Sequence, residues 1–177
     1  LLRLLDSIAN QDYPKESLEV LVVFNEERPK KPLPELIDES LIIRSLVAPK
    51  KGVNNARNIG ISASVGDIFL FIDDDCRLSD PLYLQNINHY HTRHPEITAI
   101  GGPYELSPRA NFWDRAYHRN LCFWLENQGL PQPHSRFLLG GNASYKASIF
   151  NEGYRFTPGI KYGGSETPLN LKIYQDK

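Results

Sequence analysis

The chain has 177 residues, 41% of them hydrophobic and 23% charged, and a formal net charge of -1. That is enough for one domain with its own core, and the balanced charge, without a long basic run, leaves no footprint for nucleic acid. No apolar run is long enough to span a bilayer, and Cys76 and Cys122 sit far apart in no metal-like spacing, so two reduced thiols in a cytoplasmic protein are expected rather than a disulfide.

The chain opens on LLRLLDSIANQ, where Leu1, Leu4, Leu5 and Ile8 share a helical face. This helix has neither a cap nor a preceding strand, and the sequence contains no Met, so an excerpt cut at both ends is expected. Tyr13-Pro14 breaks the pattern. LEVLVVF (Leu18–Phe24) is a continuous apolar run and predicts a strand buried on both faces. After a Pro- and Lys-rich loop, a short helix is expected around Pro34–Glu39, then a second strand in SLIIRSLV (Ser40–Val47). In KKGVNNARNIGISASVG, Val53, Ala56, Ile59, Gly60 and Ala63 trace a helical face, with Gly66 as the terminator. DIFLFI reads as the third strand. SDPLYLQNINHYHTRHP predicts a helix with Asp80 at the N-cap, Pro81 at the first helical position and Pro95 as the stop. His89 and His91 fall on different faces of it and read as solvated surface, not as a metal pair. ITAIGG (Ile97–Gly102) is a further strand.

The pattern changes after Gly102. RANFWDRAYHRNLCFWLENQG is an amphipathic helix carrying Phe112, Trp113, Ala116, Tyr117, Phe123 and Trp124. It reads either as a helix packed on the domain or as a surface for an acceptor or a membrane interface. RFLLGGNASY reads as a strand entering a glycine turn. In KYGGSETPLNLKIY, Gly163 and Gly164 allow a bent loop and Thr167 caps a helix beginning at Pro168. Strands alternating with helices, with no repeat and no linker, predict one α/β domain over 1–177 with a mainly parallel central sheet flanked by helices.

The chemistry concentrates where FLFIDDDC delivers Asp73, Asp74 and Asp75 to the end of an apolar strand. In open parallel sheets that end faces the ligand. On an extended chain Asp73 and Asp75 point to one side and Asp74 to the other. Two carboxylates on one side suit a hard divalent cation, Mg²⁺ or Mn²⁺, which completes its shell with water and phosphate oxygens. A diphosphate substrate is thereby suggested, against the plainer reading of a solvated acidic turn. Arg57, just upstream, is suited to a phosphate or to a carboxylate that holds the ligand, and Gly52 allows close backbone approach. Glu166 stands just outside the last helix, where it either takes a proton from an attacking hydroxyl or merely favours the helix N-terminus.

Together these residues resemble the family 2 glycosyltransferases. LRLLDSIANQDYP (Leu2–Pro14), in looser form, is similar to the family's first helix. GVNNARNIGI resembles the helix before the metal strand, FLFIDDD the strand ending in the DXD motif, and GGNASY and YGGSETPL the acceptor-side turn and catalytic loop. The resemblance covers nearly the whole chain and implies a GT-A fold, with 1–102 as the nucleotide-binding half and 103–177 as the acceptor-side half. It implies an inverting transferase that moves a sugar from a nucleotide-sugar donor to a glycan, lipid-linked or other hydroxyl acceptor. Asp73 would contact donor and metal, Asp75 would be the principal metal ligand, and Arg57 would hold the nucleotide side, with Asp74 and Asn25 grouped with the donor-binding residues. Gly140, Gly141 and Asn142 would lie near donor sugar and acceptor, with Trp124 on the acceptor side. Glu166 falls where the family places its catalytic base, usually the Asp of a Glu-Asp pair; here the pair is Ser165-Glu166. The second strand ends in Phe24-Asn25-Glu26 rather than in the usual acidic residues. The family's first strand would precede Leu1, its late histidine would lie beyond Lys177, and membrane attachment would run through such flanking segments, at the cytoplasmic face. A non-catalytic nucleotide- or glycan-binding module and a nucleotidyltransferase are the competing readings.

Overall fold

Apolar runs and one apolar helix face build the first layer of the computed structural model, which describes residues 1–25, 41–128, 130, 134–160 and 164–176. β1 (Glu19–Asn25) and β2 (Ile42–Ala48) pair in parallel, from Glu19 opposite Ile42 to Asn25 opposite Ala48. No residue of β1 before Asn25 is exposed, as its unbroken apolar run requires. Helix α1 (Leu2–Ala9) buries Leu4, Leu5 and Ile8, and no side chain caps it. Leu4 and Ile8 join Leu41 in a small core against which Val20, Ile43 and Ile72 pack. The expected helix around Pro34–Glu39, Ser40 at the start of the second strand, and Glu26 lie outside the described residues.

The second sheet holds β3 (Ile68–Ile72), β4 (Ala99–Gly101) and β5 (Asn142–Lys146), in the order β3-β5-β4. β5 runs antiparallel to both neighbours, so β3 and β4 run parallel to one another. The strand expected within RFLLGGNASY follows the glycine pair instead of entering it: β5 begins at Asn142, directly after Gly140 and Gly141. Around this sheet the larger core gathers Tyr145, Ile149, Phe150, Phe156, Leu169 and Ile173. Phe71 meets Phe156 edge-on at 5.1 Å between centroids, in the attractive T-shaped geometry. Truncating the fully buried Phe156 to Ala is expected to cost on the order of 3–5 kcal/mol in a denaturant titration.

Two helices correct the sequence reading. α2 (Val53–Ala63) forms where expected, but Val53 is exposed and the buried residues are Asn54 and Ile61. The inward stripe therefore runs through Asn54, Arg57, Asn58 and Ile61, at the i, i+3, i+4, i+7 spacing of one face. The Asn54 and Asn58 amides donate to backbone carbonyls and Arg57 pairs with side chains, which offsets most of the cost of their burial, while Asn54 Oδ1 is buried without a partner. α3 (Tyr83–Arg93) starts two residues later than Pro81; Asp80 Oδ1 accepts the Leu82 N–H at 2.9 Å and so caps a turn ahead of the helix.

His91, read as solvated surface, is only 3% exposed. Its Nε2 lies 2.9 Å from Ser144 Oγ, and that hydroxyl donates to Ile100 O at 3.3 Å. The serine has one proton, so Nε2–H must donate, and Nδ1 is left a buried acceptor without a partner. Protonating Nδ1 would bury an unpaired charge, and burial, helped by Lys146, lowers the His91 pKa to about 4. The folded state then binds fewer protons than an unfolded chain whose histidine titrates near 6.5, so stability falls as pH drops from 6.5 towards about 4. The contribution is about 3 kcal/mol across that window. Urea midpoints at pH 7 and pH 5 should fall apart in the parent and converge in His91→Gln.

Candidate active site

Four segments distant in sequence converge on the Arg57 guanidinium, whose side chain is 10% exposed. Nη2 lies 3.5 Å from Asp73 Oδ1 at the end of β3, and Nη1 lies 3.8 Å from Glu166 Oε2. Nη1 also donates to Ser165 Oγ at 3.1 Å, and Ser165 Oγ donates onward to Glu166 Oε2 at 3.1 Å. Beneath, the guanidinium faces the Phe156 ring at 5.2 Å, a cation–π contact that ties it to the core.

The inward stripe of α2 fixes the segment that carries Glu166. Asn54 donates to Thr157 O at 2.7 Å and to Ser165 O at 2.8 Å. Asn58 brackets Phe156, accepting its N–H at 3.0 Å and donating to its carbonyl at 2.8 Å. Gly164 adopts φ 73, a left-handed turn that suits glycine, and its carbonyl accepts the Thr167 N–H at 3.0 Å. α5 (Thr167–Asp176) follows, begun at Thr167 rather than Pro168, and the Tyr145 hydroxyl donates to Asn170 Oδ1 at 2.8 Å. Glu166 is thus held relative to β5, and through β5 relative to Asp73. Gly163 lies outside the described residues.

Asp73 ends the extended chain. Cys76 N–H donates to Asp73 O at 3.0 Å, closing a turn with Asp74 and Asp75 at its centre. The alternation expected of a strand therefore stops at Asp73, because the turn re-aims the two carboxylates that follow. All three are exposed. Partial burial pushes the Asp73 carboxyl above its ordinary range; Arg57 pulls the other way, and Asp75, Glu166 and Asp74 add repulsion. Negative charge is thus concentrated at one rim and only partly compensated. Among the described residues no three His, Cys, Asp or Glu side chains form a metal cage. The donor set fits a hard cation gripped by one or two carboxylates and completed by water and phosphate oxygens, not an all-protein site.

Gly140 and Gly141 are buried between these groups. A Cβ on Gly140 would lie 2.6 Å from Arg57 Nη2 and 2.9 Å from Glu166 Oε2. One on Gly141 would collide with the Asp73 carboxylate and lie 2.7 Å from the Tyr104 hydroxyl. Side chains are excluded here by sterics, not by φ.

The remaining sequence candidates take other places. Asn142 Nδ2 donates to Gly102 O at 3.1 Å and Pro103 O at 3.2 Å, and its Oδ1 accepts from the Tyr83 hydroxyl. Its amide is engaged within the protein, so it shapes the rim. Asn25 Oδ1 accepts the Gly52 N–H at 2.7 Å and fastens the turn into α2. Trp124 lies on α4 (Phe112–Glu126), stacked on Phe137 at 5.1 Å, with no described contact to Arg57, Asp73 or Glu166. The outer face of α4 exposes Phe112, Trp113, Tyr117, Phe123 and Trp124. Sequence reasoning missed Asn54, Asn58, Tyr83 and Tyr104. The first two were legible as a polar stripe in register with Ile61; the tyrosines carried no local signal.

The Glycosyl transferase family 2 model matches residues 1–154. No curated protein matches. Among solved structures, S. aureus TarS 1-349 superposes with a TM-score of 0.69 at 17% identity, over 98% of this chain and 50% of that one. The same protein in complex with UDP-GlcNAc gives 0.67 at 16% identity, over 98% and 49%. The mannosyltransferase PcManGT from Pyrobaculum calidifontis, in complex with GDP-Man and Mn²⁺, gives 0.66 at 21% identity, over 92% and 45%. These likenesses establish the GT-A fold, and the chain spans about half the length of each of these structures.

Proposed function

The chain belongs to glycosyl transferase family 2, and from that premise we propose that the whole protein transfers a sugar from a nucleotide-sugar donor to an acceptor hydroxyl with inversion of configuration. The observation that carries this reading is Arg57, which brings Asp73 and Glu166, from segments far apart in sequence, within 3.5 and 3.8 Å of one guanidinium. Residues 1–102 supply the donor side and 103–177 the acceptor side.

Glu166 accepts the proton of the acceptor hydroxyl. The oxygen's electron pair forms the new bond to the anomeric carbon as the bond from that carbon to the diphosphate oxygen breaks, and the departing nucleoside diphosphate keeps those electrons. Attack from the opposite face inverts the centre. Arg57 steadies the diphosphate charge, and its planar fork suits phosphate oxygens. The Gly140-Gly141 turn keeps side chains out of the space between the two carboxylates, so donor and acceptor can meet there in a fixed orientation. A divalent cation, Mn²⁺ or Mg²⁺, held by Asp73 and Asp75 would offset charge developing on the leaving group. The complexes of the solved structures it resembles, with UDP-GlcNAc in one and with GDP-Man and Mn²⁺ in another, support a nucleotide-sugar donor and a divalent cation. Two free, half-buried thiols support a reducing, cytoplasmic setting. Among the described residues no helix is long and apolar enough to cross a membrane.

The test uses the full-length protein with a panel of nucleotide sugars and Mn²⁺. One donor should yield nucleoside diphosphate and a product of inverted anomeric configuration, and Asp75→Ala should abolish the Mn²⁺-dependent turnover. Retained configuration, release of pyrophosphate, or nucleotide binding without turnover across many acceptors would overturn the proposal.

A further inference from the structure

We propose that Tyr104 is a positioning residue of this site: its hydroxyl holds the Gly141 backbone that borders the Asp73 carboxylate, and so sets where a divalent cation meets the donor diphosphate. The inference rests on the transferase reading above and deepens it.

Tyr104 is held at both ends. Its carbonyl lies 2.5 Å from His118 Nε2 on α4, and its hydroxyl accepts the Gly141 N–H at 3.2 Å. The stretch around it is pinned independently, since the carbonyls of Gly102 and Pro103 both accept from Asn142 Nδ2. Asn142 is in turn held by the Tyr83 hydroxyl. A phenol oxygen that accepts one N–H keeps its own proton to donate. A methyl group on Gly141 would collide with the Asp73 carboxylate and with the Tyr104 hydroxyl, so the two groups border the same small space. Asp73 is the carboxylate most in need of such support. It is half-exposed, it ends a strand, and its ion-pair partner Arg57 is shared with Glu166. Hydrogen bonds to a metal-binding carboxylate orient it, and their loss typically costs 10- to 100-fold in metal affinity.

Tyr104→Phe keeps the ring and removes only the hydroxyl, so it separates positioning from packing. Mn²⁺ binding by the full-length protein is measured by electron paramagnetic resonance, with Mn²⁺ alone and with Mn²⁺ plus UDP or GDP, alongside donor KM, acceptor KM and Tm. We expect about tenfold weaker Mn²⁺ binding with the nucleotide and a donor KM raised about as much. Acceptor KM should not change, and Tm should fall only by the few degrees that the unpaired Gly141 N–H costs. Unchanged Mn²⁺ affinity and donor KM overturn the inference. Donor KM and acceptor KM raised equally also overturn it, because the hydroxyl would then support the whole site and not the metal side; Tyr104→Leu, which keeps bulk without the ring, serves as the check on folding. If the parent itself binds neither Mn²⁺ nor nucleotide, the transferase reading falls first and this inference falls with it.

Discussion

Glu166→Gln is expected to lower kcat by about 10²- to 10⁴-fold, the range lost with a positioned general base, while donor KM and Tm stay near the parent values. Gln preserves the shape of the side chain and a carbonyl oxygen that can accept from Ser165 Oγ, where Glu166 Oε2 now accepts at 3.1 Å. Arg57 keeps Asp73 at 3.5 Å, so the donor side is left intact. What disappears is the carboxylate proposed to take the proton of the acceptor hydroxyl. Steady-state kinetics with saturating donor, beside a thermal melt, give the answer. Parent-level turnover would remove Glu166 from the mechanism.

Gly141→Ala carries the second large effect. Its Cβ would collide with both Oδ2 and Cγ of Asp73, a short side chain with little room to swing, because Tyr104 and Arg57 border it. The structure must displace the carboxylate or shift β5 from its start. Overpacking of this kind costs about 1–3 kcal/mol. Moving Asp73 should also weaken Mn²⁺-dependent nucleotide binding by an order of magnitude or more. Gly153→Ala is the control. Gly153 has φ 95 and nothing within 4 Å of its ideal Cβ, so alanine there meets backbone strain but no steric clash. It should cost about 1–2 kcal/mol and leave binding and turnover unchanged. Equal activity loss in the two variants would show that Gly141 matters only to folding.

The parts of this fold that were legible in the sequence are those where one local rule decides. β1, β2 and β3 are unbroken apolar runs, α2 has helical periodicity closed by small residues, and the acidic triplet stands directly after β3. Arg57, Asp73, Gly140, Gly141 and Glu166, singled out on chemistry or on resemblance, do converge on one place. Two departures have one physical cause: a polar residue on a helix is buried when a distant segment supplies its partner. Backbone carbonyls from distant segments accept from the Asn54 amide, and a distant serine hydroxyl pairs with one ring nitrogen of His91, which offsets part of the cost of burying them. Nothing within their own helices announces those partners. The turn at Asp73–Cys76 has no glycine or proline to mark it, so the strand seemed to run on through Asp75. Tyr104 and Tyr83 are placed by a loop and a helix whose neighbours are set only once β5 inserts between β3 and β4. Trp124 drew notice as an aromatic on an amphipathic helix, but chain position does not tell which face a helix turns towards a site.

The central claim is that the Asp73 turn, Arg57 and Glu166 surround one donor–acceptor junction. Anomalous scattering from crystals of the full-length protein grown with Mn²⁺ and a nucleoside diphosphate tests it most directly. A manganese peak bonded to the Asp73 or Asp75 carboxylate is expected, with the diphosphate between that ion and Arg57 and with Glu166 facing the open side. A bound nucleotide whose manganese lies away from both carboxylates, or whose diphosphate sits outside the Gly140-Gly141 turn, would contradict it.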